Sequence, residues 1–170
     1  YKPSEIIVVD FCEFFIHELQ TELASKNINI PIRYELADVK DKDLIDYIFS
    51  KYRPDIVFHA AAYKHVPIME QHPIEAVKTN VQGTLNLIDA SIKFEVSKFT
   101  MVSTDKAVNP TNVMGATKRL AEIICENIVH PKNTKFVVVR FGNVLGSSGS
   151  VIPRFKQQIK DGGPVTITHP

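Results

Sequence analysis

The sequence predicts a doubly wound α/β fold built on a parallel sheet. Three observations carry that expectation. Short, continuously apolar runs alternate with longer stretches whose apolar residues recur at helical spacing. Strands of that kind are buried on both faces, which requires helices on either side of a parallel sheet. Polar residues directly follow several of the apolar runs, at the strand ends where open parallel sheets bind ligands.

The elements follow in order. Residues 5–10 form an apolar run ending in Asp10, and Phe11, Phe14, Phe15, Leu19 and Leu23 mark a helix over 11–26. The unit repeats as strand 32–38 and helix 41–52, strand 55–62 and helix 73–94, strand 98–105 and helix 112–129, then strand 136–140. Pro54 and Pro131 break the chain just ahead of two strands, and Asn109-Pro110 punctuates the loop leading to the helix that carries Lys118. After Asn143 the character changes. Residues 146–150 read as a Gly/Ser loop, 152–160 as a helix, and Gly162-Gly163-Pro164 leads into a last strand at 165–168.

Composition excludes several functions. A chain of 170 residues with 44% hydrophobic content suffices for one α/β domain and is too short for two of ordinary size. Twenty Lys and Arg against 19 Asp and Glu leave a formal charge of +1, far from the basic excess that a nucleic-acid partner demands. Cys12 and Cys125 lie far apart within helical patterns, as expected of reduced thiols. No run approaches the roughly 20 apolar residues of a membrane-spanning helix, and Tyr1-Lys2-Pro3 does not open a signal peptide. We expect a cytoplasmic protein.

The candidate site residues gather at strand ends. Asp10 suits a ribose-binding acid of a dinucleotide fold, in competition with simple capping of the helix that follows it. Asp38 and Val39 stand at the next strand end. Ala60, Ala61 and Ala62 offer small side chains against which a flat cofactor can lie, although plain packing uses them too. The polar, ring-rich segment Tyr63-Lys64-His65-Val66-Pro67 is not needed for packing, which points to function. Asn80 sits mid-helix without a local structural reason; its bland alternative is a solvated helix face. Ser103-Thr104-Asp105-Lys106 sets hydroxyls beside an acid and a base. Asp105 and Lys106 alone could be a surface ion pair, but they follow a buried strand and precede the Met114/Lys118 helix start by eight residues. His59, His65 and His72 lack the spacing of a metal site, so no metal is expected.

A dinucleotide fold normally opens with a strand and a glycine-rich turn that receives the pyrophosphate. This sequence shows no such turn, and its first strand already ends in the acid that belongs to the second. We therefore expect a chain lacking the first strand and glycine-loop helix, which leaves two apolar strands without a neighbour and weakens cofactor binding.

Long motifs carry a family resemblance: residues 58–70 (Phe-His-Ala-Ala-Ala-Tyr-Lys-His-Val-Pro-Ile-Met-Glu), 103–122 and 140–153. Together they resemble the nucleotide-sugar 4,6-dehydratases, UDP-N-acetylglucosamine dehydratases of the extended short-chain dehydrogenase/reductase (SDR) superfamily that serve polysaccharide and glycan biosynthesis. The resemblance implies a Rossmann-like domain over 1–145, the start of a substrate lobe over 146–170, NAD as cofactor and a UDP-sugar as substrate. It further implies Lys106 as base, Asp105 as acid, and Lys118 at the nicotinamide ribose. Asp10, Asp38, Val39, Ala60, Ala61, Ala62, Lys64, Asn80 and Ser103 would line the cofactor. Lys64, His65, Asn143, Ser150, Val151, Arg154 and Phe155 would line the sugar nucleotide.

Met114 departs from the tyrosine-containing members and matches the larger, membrane-tethered ones. A thioether cannot accept the C4 hydroxyl proton, which leaves Thr104, Ser103, a water or a substrate phosphate for that task. The rival readings are a nucleotide-sugar 4-epimerase or reductase, disfavoured by Met114, and a non-catalytic NAD-binding or assembly module. The parent protein is expected to be a homo-oligomer, tethered to the cytoplasmic face of a membrane if it follows the larger members.

Overall fold

The computed structural model describes residues 1–26, 28–128, 134–142, 144 and 151–165, with the Val151 and Arg154 side chains left aside. Its five described strands are β1 (Ile6–Asp10), β2 (Ile32–Leu36), β3 (Ile56–His59), β4 (Lys98–Thr104) and β5 (Lys135–Phe141). The helices are α1 (Glu13–Ala24), α2 (Lys42–Tyr52), α3 (Val66–Gln71), α4 (Pro73–Val77), α5 (Gly83–Lys93), α6 (Val113–Asn127) and α7 (Val151–Lys160). The chain forms two compact units, Tyr1–Arg140 and Phe141–Pro170.

Within the first unit the strands form two sheets, β1-β2 and β3-β4-β5. Pairing of β1 with β2 is parallel, Ile6 opposite Ile32 through Asp10 opposite Leu36, and β3 pairs parallel with β4 from Ile56 opposite Lys98 to His59 opposite Met101. Among the described residues β1 and β3 each keep one unpaired edge. Ile6, Val9 and Phe58 on those strands are exposed.

The core lies around β4. Phe99 and Met101 are fully buried against Ile45 and Phe49 of α2, Leu87, Ile88 and Ala90 of α5, and Ala121 and Cys125 of α6. Full burial of each large side chain among them, Phe99, Met101, Ile45, Phe49, Leu87 and Ile88, stabilises the fold by roughly 1.5–3 kcal/mol. Local chemistry sets the helix limits. Asp41 caps α2 by accepting from Leu44 N at 3.0 Å, and the helix ends at Arg53, whose φ of 45° is left-handed, immediately before Pro54.

Three sequence expectations shift. Strand 55–62 shortens to Ile56–His59, because the alanines that follow leave the ladder. The loop at 63–67 leads into a short helix, α3, with Pro67 in its first turn. The helix expected over 73–94 is interrupted by a π-helical turn at Lys78–Gln82, a feature often found where a helix is distorted to place a side chain. Both cysteines are free thiols. No helix among the described residues is long and apolar enough to cross a membrane.

Candidate functional site

Strand β4 carries Ser103 and Thr104 to its carboxyl end, where Asp105–Ala107 make a 3₁₀ turn. Thr104 Oγ1 donates to Asp105 Oδ1 at 2.9 Å and accepts from the Lys106 N–H at 3.3 Å. Lys106 Nζ donates to the same Asp105 oxygen at 3.1 Å. The hydrogen bond from Lys106, then that from Thr104, holds the Asp105 carboxyl below the usual carboxylate value. Both side chains reach solvent, Asp105 at 54% and Lys106 at 38% exposure. Hydroxyl, acid and base thus form one hydrogen-bonded set, open on one side.

Helix α6 supports this set from beneath. Asn112 caps it by accepting from Gly115 N at 2.8 Å, and Glu70 of α3 accepts from Val113 N at 2.6 Å. Lys118 is only 4% exposed and donates its ammonium to the Val102 carbonyl at 2.7 Å. Burial pulls its pKa down to about 8, with the neighbouring Cys125 and Glu122 opposing the fall. His59, also buried, shares a 2.8 Å hydrogen bond with Thr84, and burial followed by repulsion from Lys118 lowers it to about 3. It is neutral at any physiological pH.

Met114 is 3% exposed and packs with Met69 and Ala76, flanked by Tyr63, Val66 and Val113. Its thioether is a core contact between α6, α3 and α4. The position lacks a phenol, and what it holds instead is sealed from solvent.

Most of the expected cofactor residues gather at strand ends. Asp10, Asp38, Ala60, Ala61, Ala62 and Ser103 stand at or just beyond the carboxyl ends of β1 to β4. Asp10 Oδ1 accepts from Cys12 N at 2.8 Å, so the carboxylate also organises the entry to α1. Asp38 accepts from Lys40 N at 2.9 Å and pairs with the Lys40 ammonium at 3.4 Å. Val39 packs against Gly83, and its carbonyl accepts from Asn86 Nδ2 at 2.9 Å. Ser103 Oγ is buried without a hydrogen bond of normal geometry, although it lies near enough to Glu122 to help hold that carboxylate down. Lys64 and His65 line a pocket of 370 Å³ with Tyr63, Ile68, Met69, His72 and Glu75.

Asn80 is the exception. The expected alternative of a solvated face does not hold, because Asn80 is 0% exposed at the π-helical turn. Its Oδ1 accepts from Tyr63 N at 2.9 Å, and its Nδ2 donates to Tyr63 O at 3.2 Å and Thr117 Oγ1 at 3.0 Å. The amide grips the Tyr63 backbone from both sides and ties it to α6. Of the expected sugar-nucleotide residues, Asn143 and Ser150 lie outside the described residues, as do the Val151 and Arg154 side chains and most of strand 165–168; Phe155 is half-buried on α7.

Sequence reasoning missed Glu122 as a separate element of the site. Its carboxylate is 0% exposed and bonds to Arg140 twice, Oε1 from Nε at 2.9 Å and Oε2 from Nη2 at 2.7 Å, while Arg119 Nη1 donates to Oε2 at 2.9 Å. Burial alone would raise this carboxyl, but the hydrogen bonds, that from Arg140 foremost, outweigh it and bring it to about 2. A signal was available: Glu122 follows Lys118 by one helical turn, so both share the buried face of α6.

A family model described as polysaccharide biosynthesis protein matches residues 1–170. The chain belongs to that polysaccharide biosynthesis family. It is 53% identical over 171 residues to the probable polysaccharide biosynthesis protein EpsC of Bacillus subtilis, covering all of this chain and 29% of EpsC. It is 44% identical to a UDP-N-acetylglucosamine 4,6-dehydratase (inverting) of Campylobacter jejuni over 99% of this chain and 50% of that enzyme. Among solved structures, Pen from Bacillus thuringiensis superposes with a TM-score of 0.84 at 42% identity, over 94% of this chain and 48% of Pen. The chain thus spans half or less of the length of these relatives. Its fold is the Rossmann-like fold of extended SDR enzymes.

Proposed function

We propose that this chain carries the acid–base machinery and part of the cofactor cradle of an NAD-dependent 4,6-dehydratase. The substrate is a UDP-N-acetylhexosamine, UDP-N-acetylglucosamine foremost, and the product is a 4-keto-6-deoxy sugar for a surface polysaccharide or glycan. One observation carries the reading: the Thr104-Asp105-Lys106 set at the end of β4, hydrogen-bonded within itself and seated on the helix that bears Lys118. The similarity to the Campylobacter dehydratase supports it.

The residues present fit NAD. Acids stand at or just beyond the ends of the adjacent strands β1 and β2, small alanines follow β3, and the Ser103 hydroxyl is buried at the end of β4. Asp10, Asp38, Val39, Ala60, Ala61, Ala62, Lys64, Ser103 and Lys118 would hold it, with Asn80 fixing the Tyr63 backbone beside them. Bound there, NAD would supply the hydride acceptor for sugar C4 and the hydride donor for C6.

The chain's own groups move the protons. Lys106 must be neutral to remove the C5 proton, and Asp105 must be protonated to release the C6 hydroxyl as water. The pair holds one proton, which rests on Lys106 while water solvates the ions. A sugar covering both groups removes that solvation and favours the neutral arrangement, with the proton passed along the 3.1 Å bond to Asp105. The C4 hydroxyl proton passes through Thr104, which donates to Asp105 at 2.9 Å, and out to solvent, because Asp105 still holds its own proton at that stage. After the elimination Asp105 regains from solvent the proton it gave to the leaving water, and Lys106 returns its proton to C5, so the pair ends as it began.

Three measurements check this reading. A protein carrying this chain, given NAD and UDP-N-acetylglucosamine, is expected to yield a sugar nucleotide lighter by one water in mass spectrometry; an unchanged substrate mass would sink the assignment. Thr104→Val is expected to slow C4 oxidation by about 10²-fold in single-turnover kinetics, and an unaltered rate would remove Thr104 from the relay. The third concerns the 170-residue chain by itself. It contains no glycine before Gly83, so no glycine-rich turn offers backbone N–H groups to the pyrophosphate ahead of α1. Calorimetric titration is expected to show no tight NAD binding, and a micromolar dissociation constant would contradict this.

The protein that contains this chain is read as a homo-oligomer acting on the cytoplasmic face of a membrane, a placement that rests on the resemblance to the larger dehydratases.

A further inference from the structure

We infer that Gly115 is a positioning residue for the base: the absence of a side chain there sets where the Asp105-Lys106 turn sits on α6. The inference rests on Lys106 being the base of the proposed elimination. A Cβ built on Gly115 would stand 2.3 Å from the Lys106 carbonyl oxygen and 3.2 Å from its carbonyl carbon. Both contacts are to backbone, so no side-chain rotation relieves them. Either the turn or the first turn of α6 has to move.

Conformation does not explain the glycine. Gly115 has no positive φ, unlike Gly162 and Gly163, and lies in the first turn of a helix, where alanine is intrinsically favoured. What it provides is close approach. The surroundings leave little slack: Ala107 at the end of the turn is fully buried, Met114 is packed into the core, and Gly115 N is held by Asn112 Oδ1 at 2.8 Å. Thr104 lies on β4 and keeps its place, so a displaced turn moves Lys106, together with Asp105, relative to the Thr104 hydroxyl.

The consequence is a separation of the two half-reactions. C4 oxidation depends on Thr104 and the cofactor, whereas removal of the C5 proton depends on Lys106. Gly115→Ala is therefore expected to lower the elimination rate by about 10²-fold, the usual effect of displacing a reacting group by an ångström. Substrate KM and the rate of C4 oxidation should change little. Three readouts apply to the protein with NAD: reduced-cofactor absorbance, which should accumulate as elimination stalls; exchange of the C5 hydrogen with deuterated solvent, which should fall; and amide hydrogen exchange across Asp105–Ala107, which should rise even without NAD.

If Gly115→Ala does not fold, Ala107→Gly is the second probe. It adds no atom and loosens the same turn, and a smaller fall in elimination relative to C4 oxidation is expected. Equal elimination and oxidation rates in the folded variant, with unchanged amide exchange, would overturn the inference. Lys106→Met separates this outcome from failure of the functional reading. If Lys106→Met eliminates normally, the reading of Lys106 falls; if it does not and Gly115→Ala does, only the role of Gly115 falls.

Discussion

Lys106→Met is expected to cut formation of the dehydrated sugar by about 10³-fold, within the range that a positioned general base contributes. The substitution keeps an unbranched stem, shorter by the terminal nitrogen, and so removes the group that can take the C5 proton. Asp105 loses its closest cationic partner at the same time, so its carboxyl returns toward the ordinary range. Oxidation at C4 does not require the amine, so the variant should stop after that step. Two results would be seen together: a 4-keto species that retains its C6 hydroxyl, and no incorporation of solvent deuterium at C5. Normal deuterium incorporation would show that another group is the base. A uniform loss of both half-reactions would show instead that Lys106 holds the substrate rather than the proton.

The second large effect lies in the core. Glu122→Gln is expected to destabilise the fold by about 3 kcal/mol in urea denaturation, the lower end for breaking a buried ion pair because Arg119 and Arg140 both reach solvent. The neutral amide still donates and accepts, but it aims an N–H at guanidinium groups that already donate. Glu122 is held at about 2 against an ordinary value of 4.5. A carboxyl lowered on folding stabilises the native state fully above its unfolded value. That stabilisation is lost as pH falls from about 4.5 towards 2. Glu122→Gln should therefore flatten the acid limb of the stability profile in that window while lowering stability at neutral pH. A variant as stable as the parent at pH 7 would show that the two arginines find equal partners in water.

The clasp has a functional side. Glu122 ties α6, which positions Met114, Gly115 and Lys118, to Arg140 near the end of β5. It also lies on the face of Lys118 and supports the lysine's charge against burial.

Much of this was legible in the linear chain, for a physical reason. Strands buried on both faces and helices buried on one leave periods in the sequence, and those periods located the βα units to within a few residues. Proline and Asn/Asp positions marked their ends, since caps and breakers act within one turn. The polar residues at strand ends were legible as well, because a sheet of this kind brings successive strand ends to one edge whatever lies between them. Asp10, Asp38 and the Ser103 to Lys106 run were found that way.

Contacts between residues distant in the chain were not legible. By residue type Asn80 was a poor helix former without a local structural reason, and by resemblance a cofactor-lining residue; in the fold it holds Tyr63 and Thr117 across 17 and 37 residues. The π-helical turn that aims it has no local period of its own. Glu70 looked like the end of a motif and serves as a cap for α6, 43 residues away.

Met114 shows the same division. The sequence alone determined that a thioether stands four residues before Lys118, where the resemblance implies a phenol in most related enzymes, and that an acid and a base precede it; chemical identity is local and needs no fold. Only the tertiary structure decided that the thioether is packed away beneath Tyr63 and Met69, that Thr104 points its proton at Asp105, and that Gly115 admits the Lys106 backbone. Those facts depend on which helix faces cover which strand ends, and that is settled by the summed burial of side chains far apart in the sequence.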